Sequence, residues 1–94
     1  MQEFKKGKNK FYIGEDHITP LAEITFVFKD EDKIIIDHTR VSNVLKNQGV
    51  GQKLVKLVIE YARQENKKII PVCPFAEKIM TENEDCQDVL LRKD

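Results

Sequence analysis

The strongest constraint on this chain lies between Lys33 and Val72. A stretch rich in β-branched residues, Lys33 to Val41, leads through a loop ending in Gly49-Val50-Gly51 to a long amphipathic stretch. A short apolar run, Ile69 to Val72, follows it. Val50, Leu54, Leu57, Val58, Tyr61 and Ala62 fall on one helical face, and Lys53, Lys56, Glu60, Arg63 and Gln64 on the other. Val55 and Ile59 widen the apolar arc, which suits a helix packed on a sheet. The helix should end near Asn66-Lys67-Lys68, where cations face its carbonyl end. Strand, helix and strand in that order predict a βαβ unit with parallel strands and a right-handed crossover. Pro71 lacks an N–H, so the second strand is expected to be an edge, a bulge or a strand end.

The flanks add an antiparallel hairpin. From Leu21 to Phe28 the chain alternates, with Ala22, Ile24, Phe26 and Phe28 pointing one way and Glu23 and Thr25 the other. Lys29 to Lys33 is its polar tip, and Lys33 to Val41 its return strand. Phe11 to Ile13 belong to a first hairpin, and Gly14-Glu15-Asp16-His17 reads as a turn. After Pro74 a second helical stretch runs through Phe75, Ala76, Ile79 and Met80, and a weaker segment, Asp88 to Arg92, follows. The expectation is an α/β chain of the α+β type, with residues 1–94 forming a single small domain. Its sheet is mixed and mostly antiparallel, with two or three helices.

Composition narrows the function. The 94 residues carry 16 Lys+Arg against 16 Asp+Glu, and 40% are hydrophobic. Disorder pairs low hydrophobicity with high net charge, and a dedicated DNA-binding domain carries a basic excess; neither holds here. There is no run of 18 apolar residues and no signal-peptide pattern, so neither a membrane nor nucleic acid is an expected partner. Cys73 and Cys86 are too few for a disulfide framework and lack zinc-ligand spacing. A monomeric cytoplasmic protein with free thiols and no metal is the simplest reading.

The neutral total conceals a local bias. Residues 46–68 carry six Lys/Arg and two Glu, while residues 77–94 carry six acids and three bases. The basic cluster coincides with the Gly-x-Gly that opens the long helix. Glycine allows close backbone approach, and the first helical amides have no intrahelical partner. With the helix dipole they make a site for phosphate or pyrophosphate. Gln48, Gly49, Val50, Gly51 and Gln52 would supply amides, and Lys46 and Lys53 charge. The spacing fits neither a P-loop nor a dinucleotide fingerprint. A tight strand-to-helix connection without a ligand is the plain alternative.

Lys46-Asn47-Gln48-Gly49-Val50-Gly51 resembles motif A of the GNAT N-acetyltransferase superfamily, R/Q-x-x-G-x-G/A, with Lys in the first place. The match is closer to a minimal stand-alone acetyl-CoA-binding subfamily of about this length. Its Asp-His-Thr-x-Val strand, Gly-x-Gly loop and Pro-x-Cys-Pro-Phe segment read here Asp37-His38-Thr39-Arg40-Val41, Gly49-Val50-Gly51 and Pro71-Val72-Cys73-Pro74-Phe75. The resemblance implies acetyl-CoA as acyl donor, its pyrophosphate on the loop amides. It also implies a central parallel pair that splays apart around the pantetheine arm, with backbone groups near Thr39, Arg40 and Val41 binding its amides. The chain departs from the subfamily where a Tyr follows Cys-Pro-Phe (here Ile79) and where His-Pro-Glu-Tyr stands (here Asn83-Glu84-Asp85-Cys86). A tyrosine in this region often protonates the leaving thiolate in GNAT enzymes.

Cys73 and His38 are the candidate catalytic residues. Cys73 precedes a helix N-terminus, which favours thiolate, and His38 lies on the neighbouring strand. Such a pair could pass an acetyl group through Cys73 to an amine, or His38 could deprotonate an amine that attacks directly. The plain alternative is a small buried hydrophobe and a satisfied core histidine. Alternation puts Asp37 on the face opposite His38. Glu23 reads as an exposed strand residue and His17 as a solvated turn residue. Cys86, among acids, carries no role. Three functions compete: an N-acetyltransferase acting on a small amine or a lysine side chain, a non-catalytic acyl-CoA-binding or sensing module, and a weak nucleic-acid or protein-binding module using the lysines. The last lacks an aromatic stacking platform.

Overall fold

Alternating burial along two nine-residue strands builds the centre of the protein. The computed structural model describes residues 4–15 and 20–91. β1 (Lys5–Gly7) and β2 (Lys10–Ile13) form a short hairpin, and β3 (Ala22–Asp30) and β4 (Lys33–Val41) a long one. α1 (Val50–Gln64) crosses to β5 (Lys68–Pro71), and α2 (Pro74–Glu82) follows. The five strands lie in sequence order, all neighbours antiparallel except β4 and β5, which are parallel. The sequence-predicted βαβ unit is present, and Pro71 stands at the end of the outermost strand. The parallel pair therefore lies at one side of the sheet and not at its centre. Beyond β5 the described residues add a single isolated bridge, Ile69 to Leu90.

α1 covers one face of the sheet. Phe11, Ile24, Phe26, Ile34, Ile36 and Ile69 meet Leu54, Val55, Val58 and Ala62 in one continuous buried core. The helix is closed at its C-terminal end by Asn66 in the left-handed region (φ 58°), with Lys67 N–H donating to Ala62 O. Arg63 ties the C-terminal segment down through two bonds of 2.9 Å to Asp88 and one of 2.8 Å to Asp85 O. Cys86, within that segment, is buried, with its Sγ donating to Met80 O and Asn83 O. Among the described residues no helix is long and apolar enough to cross a membrane.

Two features shape the open end of the sheet. The first is a bulge: Thr25 faces His38 but Phe26 faces Ile36, so Asp37 is an extra residue on β4. The second is the parting of the parallel pair. Ile36–Pro71 is its last rung, and Ile36 O accepts from both Val72 N (3.0 Å) and Cys73 N (3.1 Å) as the chain turns into α2. Residues 37–41 of β4 continue with no strand partner on that side.

Candidate active site

The loop before α1 is held open by local backbone chemistry. Ser42 Oγ accepts from Val44 N–H (3.4 Å) and starts a 3-10 turn over Asn43–Leu45. Asn47 (φ 65°) and Gly49 (φ 69°) then both enter the left-handed region, which asparagine and glycine tolerate best. The first intrahelical bond runs from Lys53 N to Gly49 O. The amides of Val50, Gly51 and Gln52 precede it and end the helix towards the loop.

These residues line a groove of ≈ 590 Å³ with Val41, Ser42, Asn43, Lys46 and Phe75. Of the residues expected to bind the donor, Val41, Lys46, Gly49, Val50, Gly51 and Gln52 share it. Thr39 and Arg40 lie further along β4, on its unpaired stretch. Gln48 and Lys53 are exposed beside the groove and do not line it. Lys56 lies away from it, in a depression between the helices with Glu82 and Glu84. In the sequence Phe75 has a place in the Pro-x-Cys-Pro-Phe segment but no part in the groove. It reads as one apolar residue of a helix, but its ring lies against Gly51, where a Cβ would stand 2.6 Å from Cζ. Glycine at 51 thus serves close approach, and glycine at 49 serves conformation.

Cys73 stands at the apex where β4 and β5 part. It is buried and caps α2, and its Sγ donates to Thr39 Oγ1 at 3.6 Å. Burial pushes the thiol up. The amides of Ala76 and Phe75, with the hydroxyl and amide of Thr39, outweigh that and hold it below the ordinary thiol value. Cys86 differs: burial and the nearby Asp88 push it up.

The structure does not bring Cys73 and His38 together. Thr39 pairs with the buried Ile24, on the α1 side, whereas His38 pairs with Thr25 on the opposite, open face. Simple alternation from Ile34 and Ile36 would have placed His38 on the core side; the extra residue at Asp37 reverses the phase. His38 is therefore exposed, not a core histidine. Asp37 also departs from alternation: its Oδ1 accepts from Thr25 Oγ1 at 2.5 Å, on the side that Thr25 shares with His38. Glu23 is no exposed base. Its largely covered carboxylate accepts from Lys10 (3.2 Å) and Arg40 (3.3 Å). Tyr61 packs against Phe11 and Phe26, and Tyr12 sits on β2, so neither reaches the apex. His17 and Asp16, read as a turn, lie outside the described residues.

A parallel pair that parts at one side of a mixed sheet, beside a helix N-terminal groove, defines a small α+β domain with a cleft at the end of its sheet. The chain belongs to the GCN5-related N-acetyltransferases, whose family model matches residues 10–89. It is 51% identical to a GCN5-like protein of Staphylococcus aureus solved in solution by NMR, with a TM-score of 0.83 over 98% of this chain and 90% of that one. It also shares its fold with Ard1 from Thermoplasma volcanium, with a TM-score of 0.52 and 15% identity over 63% of this chain and 39% of that one. No curated protein matches it.

Proposed function

We propose that this protein is an N-acetyltransferase that takes acetyl-CoA as donor and a primary amine as acceptor. The observation that carries the reading is the groove at the N-terminus of α1, walled by Val41 of β4 and Phe75 of α2, beside the parting of β4 and β5 where Cys73 turns the chain into α2. The groove fits the donor's phosphates: three amides ahead of the first helical bond, Lys46 on the rim and two glycines where side chains would be strained or in collision. The side of residues 37–41 that faces away from β3, with no strand against it, suits the amides of an extended pantetheine arm.

Cys73 and His38 flank the parting from opposite faces, which suits two half-reactions better than a hydrogen-bonded pair. In the first, the Cys73 thiolate bonds to the acetyl carbonyl carbon, the donor's C–S bond breaks, and coenzyme A leaves as the thiolate, taking a proton from water. In the second, an amine from the open face bonds to that carbon, the Cys73–acetyl bond breaks, and His38 takes the amine proton. Ionisation of Cys73 is supported by the α2 amides and Thr39 and needs no contact with His38. Two free thiols suit a cytoplasmic setting.

A second reading, a binding module without turnover, is favoured by one observation: both tyrosines lie away from the apex. The test that separates them is mass spectrometry after incubation with acetyl-CoA. One acetyl mass, removed by hydroxylamine and absent in Cys73→Ser, supports the carrier. Amine acetylation undiminished in Cys73→Ser leaves direct attack, and binding without transfer to any amine leaves the module. Gly51→Glu, which sets a carboxylate among the cradle amides, should abolish binding in every case.

A further inference from the structure

The open face of the sheet carries a second concavity at the same apex. Val27, Ile35 and Ile70 form one cross-strand row on that face. Ile35 and Ile70, with Pro71, Val72, Leu90 and Leu91, line a pocket of ≈ 490 Å³. Glu77 and Thr81 of α2 supply polar groups on one side, and Lys29 stands at the hairpin-tip end. The volume lies within the range of small-molecule sites and is too small to seat a folded partner.

Its position follows from alternation. Val72 and Cys73 are consecutive, so the strand end that turns the thiol inward turns Val72 outward, where it is 61% exposed. Ile35 likewise precedes Ile36, whose carbonyl fixes the apex. The pocket wall and the apex are thus made by the same two backbone segments, one facing each side. His38, on the open face, occupies the row next to Val27 and Ile35.

We infer that this pocket holds the acetyl acceptor, and that the acceptor is a small primary amine with an apolar, arylalkyl-sized body. The proposal rests on the transferase reading above. The apolar wall takes the body. The ammonium lies towards the Glu77 carboxylate and the apex, since Lys29 at the other end repels it. A polyamine gains nothing from this wall and would bury charge against it.

The test titrates isotopically labelled protein with 2-phenylethylamine in the absence of any donor. Amides of Ile70, Val72, Leu90 and Leu91 should shift, while those of residues 48–53 should not. Val72→Lys, an exposed position that folding tolerates, should weaken binding by about tenfold or more through charge repulsion and loss of apolar contact. Glu77→Gln should weaken 2-phenylethylamine and leave 2-phenylethanol unchanged. Equal shifts with putrescine, no shift at the lining amides, or unchanged affinity in Val72→Lys would overturn the inference. Acetylation of putrescine or a lysine peptide with kcat/KM unaffected by Val72→Lys would overturn it while leaving the transferase standing. Specific 2-phenylethylamine binding with no acetylation of any amine would overturn the transferase reading and the pocket's acceptor role with it, while leaving a binding pocket.

Discussion

Gly51→Ala should change sign with its neighbour. A Cβ at position 51 would lie 2.6 Å from Cζ and 2.8 Å from Cε2 of Phe75, closer than such contacts allow, so the ring must leave its place. Gly51 is helical with ordinary φ, so no backbone strain adds to the collision. Overpacking of this kind costs about 1–3 kcal/mol. Alanine in a helix recovers up to about 1 kcal/mol relative to glycine. The net loss in the natural background should be about 1 kcal/mol, or roughly 4–8 °C in Tm for a domain of this size. In a Phe75→Ala background the collision is gone and only the propensity gain remains, so Gly51→Ala should be neutral or stabilising. Phe75→Ala alone should cost less than the roughly 3–5 kcal/mol of a buried phenylalanine, because the ring is 44% exposed. Gly49→Ala is the control: nothing lies within 4 Å of its Cβ, and its φ of +69° costs about 1–2 kcal/mol in either background. Urea unfolding of the four variants of the cycle reads the coupling. An equal cost for Gly51→Ala in both backgrounds, within about 0.5 kcal/mol, would refute the contact.

Four further outcomes are expected. Cys73 should react with iodoacetamide at lower pH than Cys86, and Thr39→Val should move the Cys73 profile upward, read by peptide mass mapping between pH 6 and 10. Arg63→Ala should expose Cys86 to alkylation by loosening the segment that holds it. Because Arg63 lowers the Asp88 carboxyl, their pairing stabilises above the usual carboxylate value of 3.8 and is lost as pH falls through the lowered one; chemical shifts of Val89 to Leu91 in acid report it. Coenzyme A should bind better than its 3′-dephospho analogue, with Lys46→Ala shrinking the difference and Lys56→Ala, outside the groove, leaving it unchanged by calorimetry.

Periodicity made the β3–β4 hairpin, α1 and β5 legible, because each buries one side against a common core and so writes its own repeat into the chain. The left-handed positions of the loop were legible for the same local reason, through Asn and Gly. The site was harder to read. Cys73, the groove and its glycines follow from motif and spacing, but the relation of Cys73 to His38 depends on strand phase. One extra residue at Asp37 inverts that phase for Thr39, Arg40 and Val41, and nothing in Asp-His-Thr distinguishes a bulged from a regular strand. Phe75 was legible as part of the Pro-x-Cys-Pro-Phe segment, but its seat on Gly51 was not, for a similar reason. Its contact with Gly51 joins residues from two helices, and helical spacing within α2 carries no record of it.

The parting of β4 from β5 leaves residues 37–41 without a strand partner on one side, the kind of strand edge that elsewhere recruits other chains and seeds aggregation. Here the hazard is enclosed by its surroundings. The Cys73–Thr39 contact shuts the inner end of the slot, and Phe75 seated on Gly51 hems the outer end. The gap in the sheet is thus bounded at both ends by side chains, so that edge pairing with a neighbour would first have to displace them.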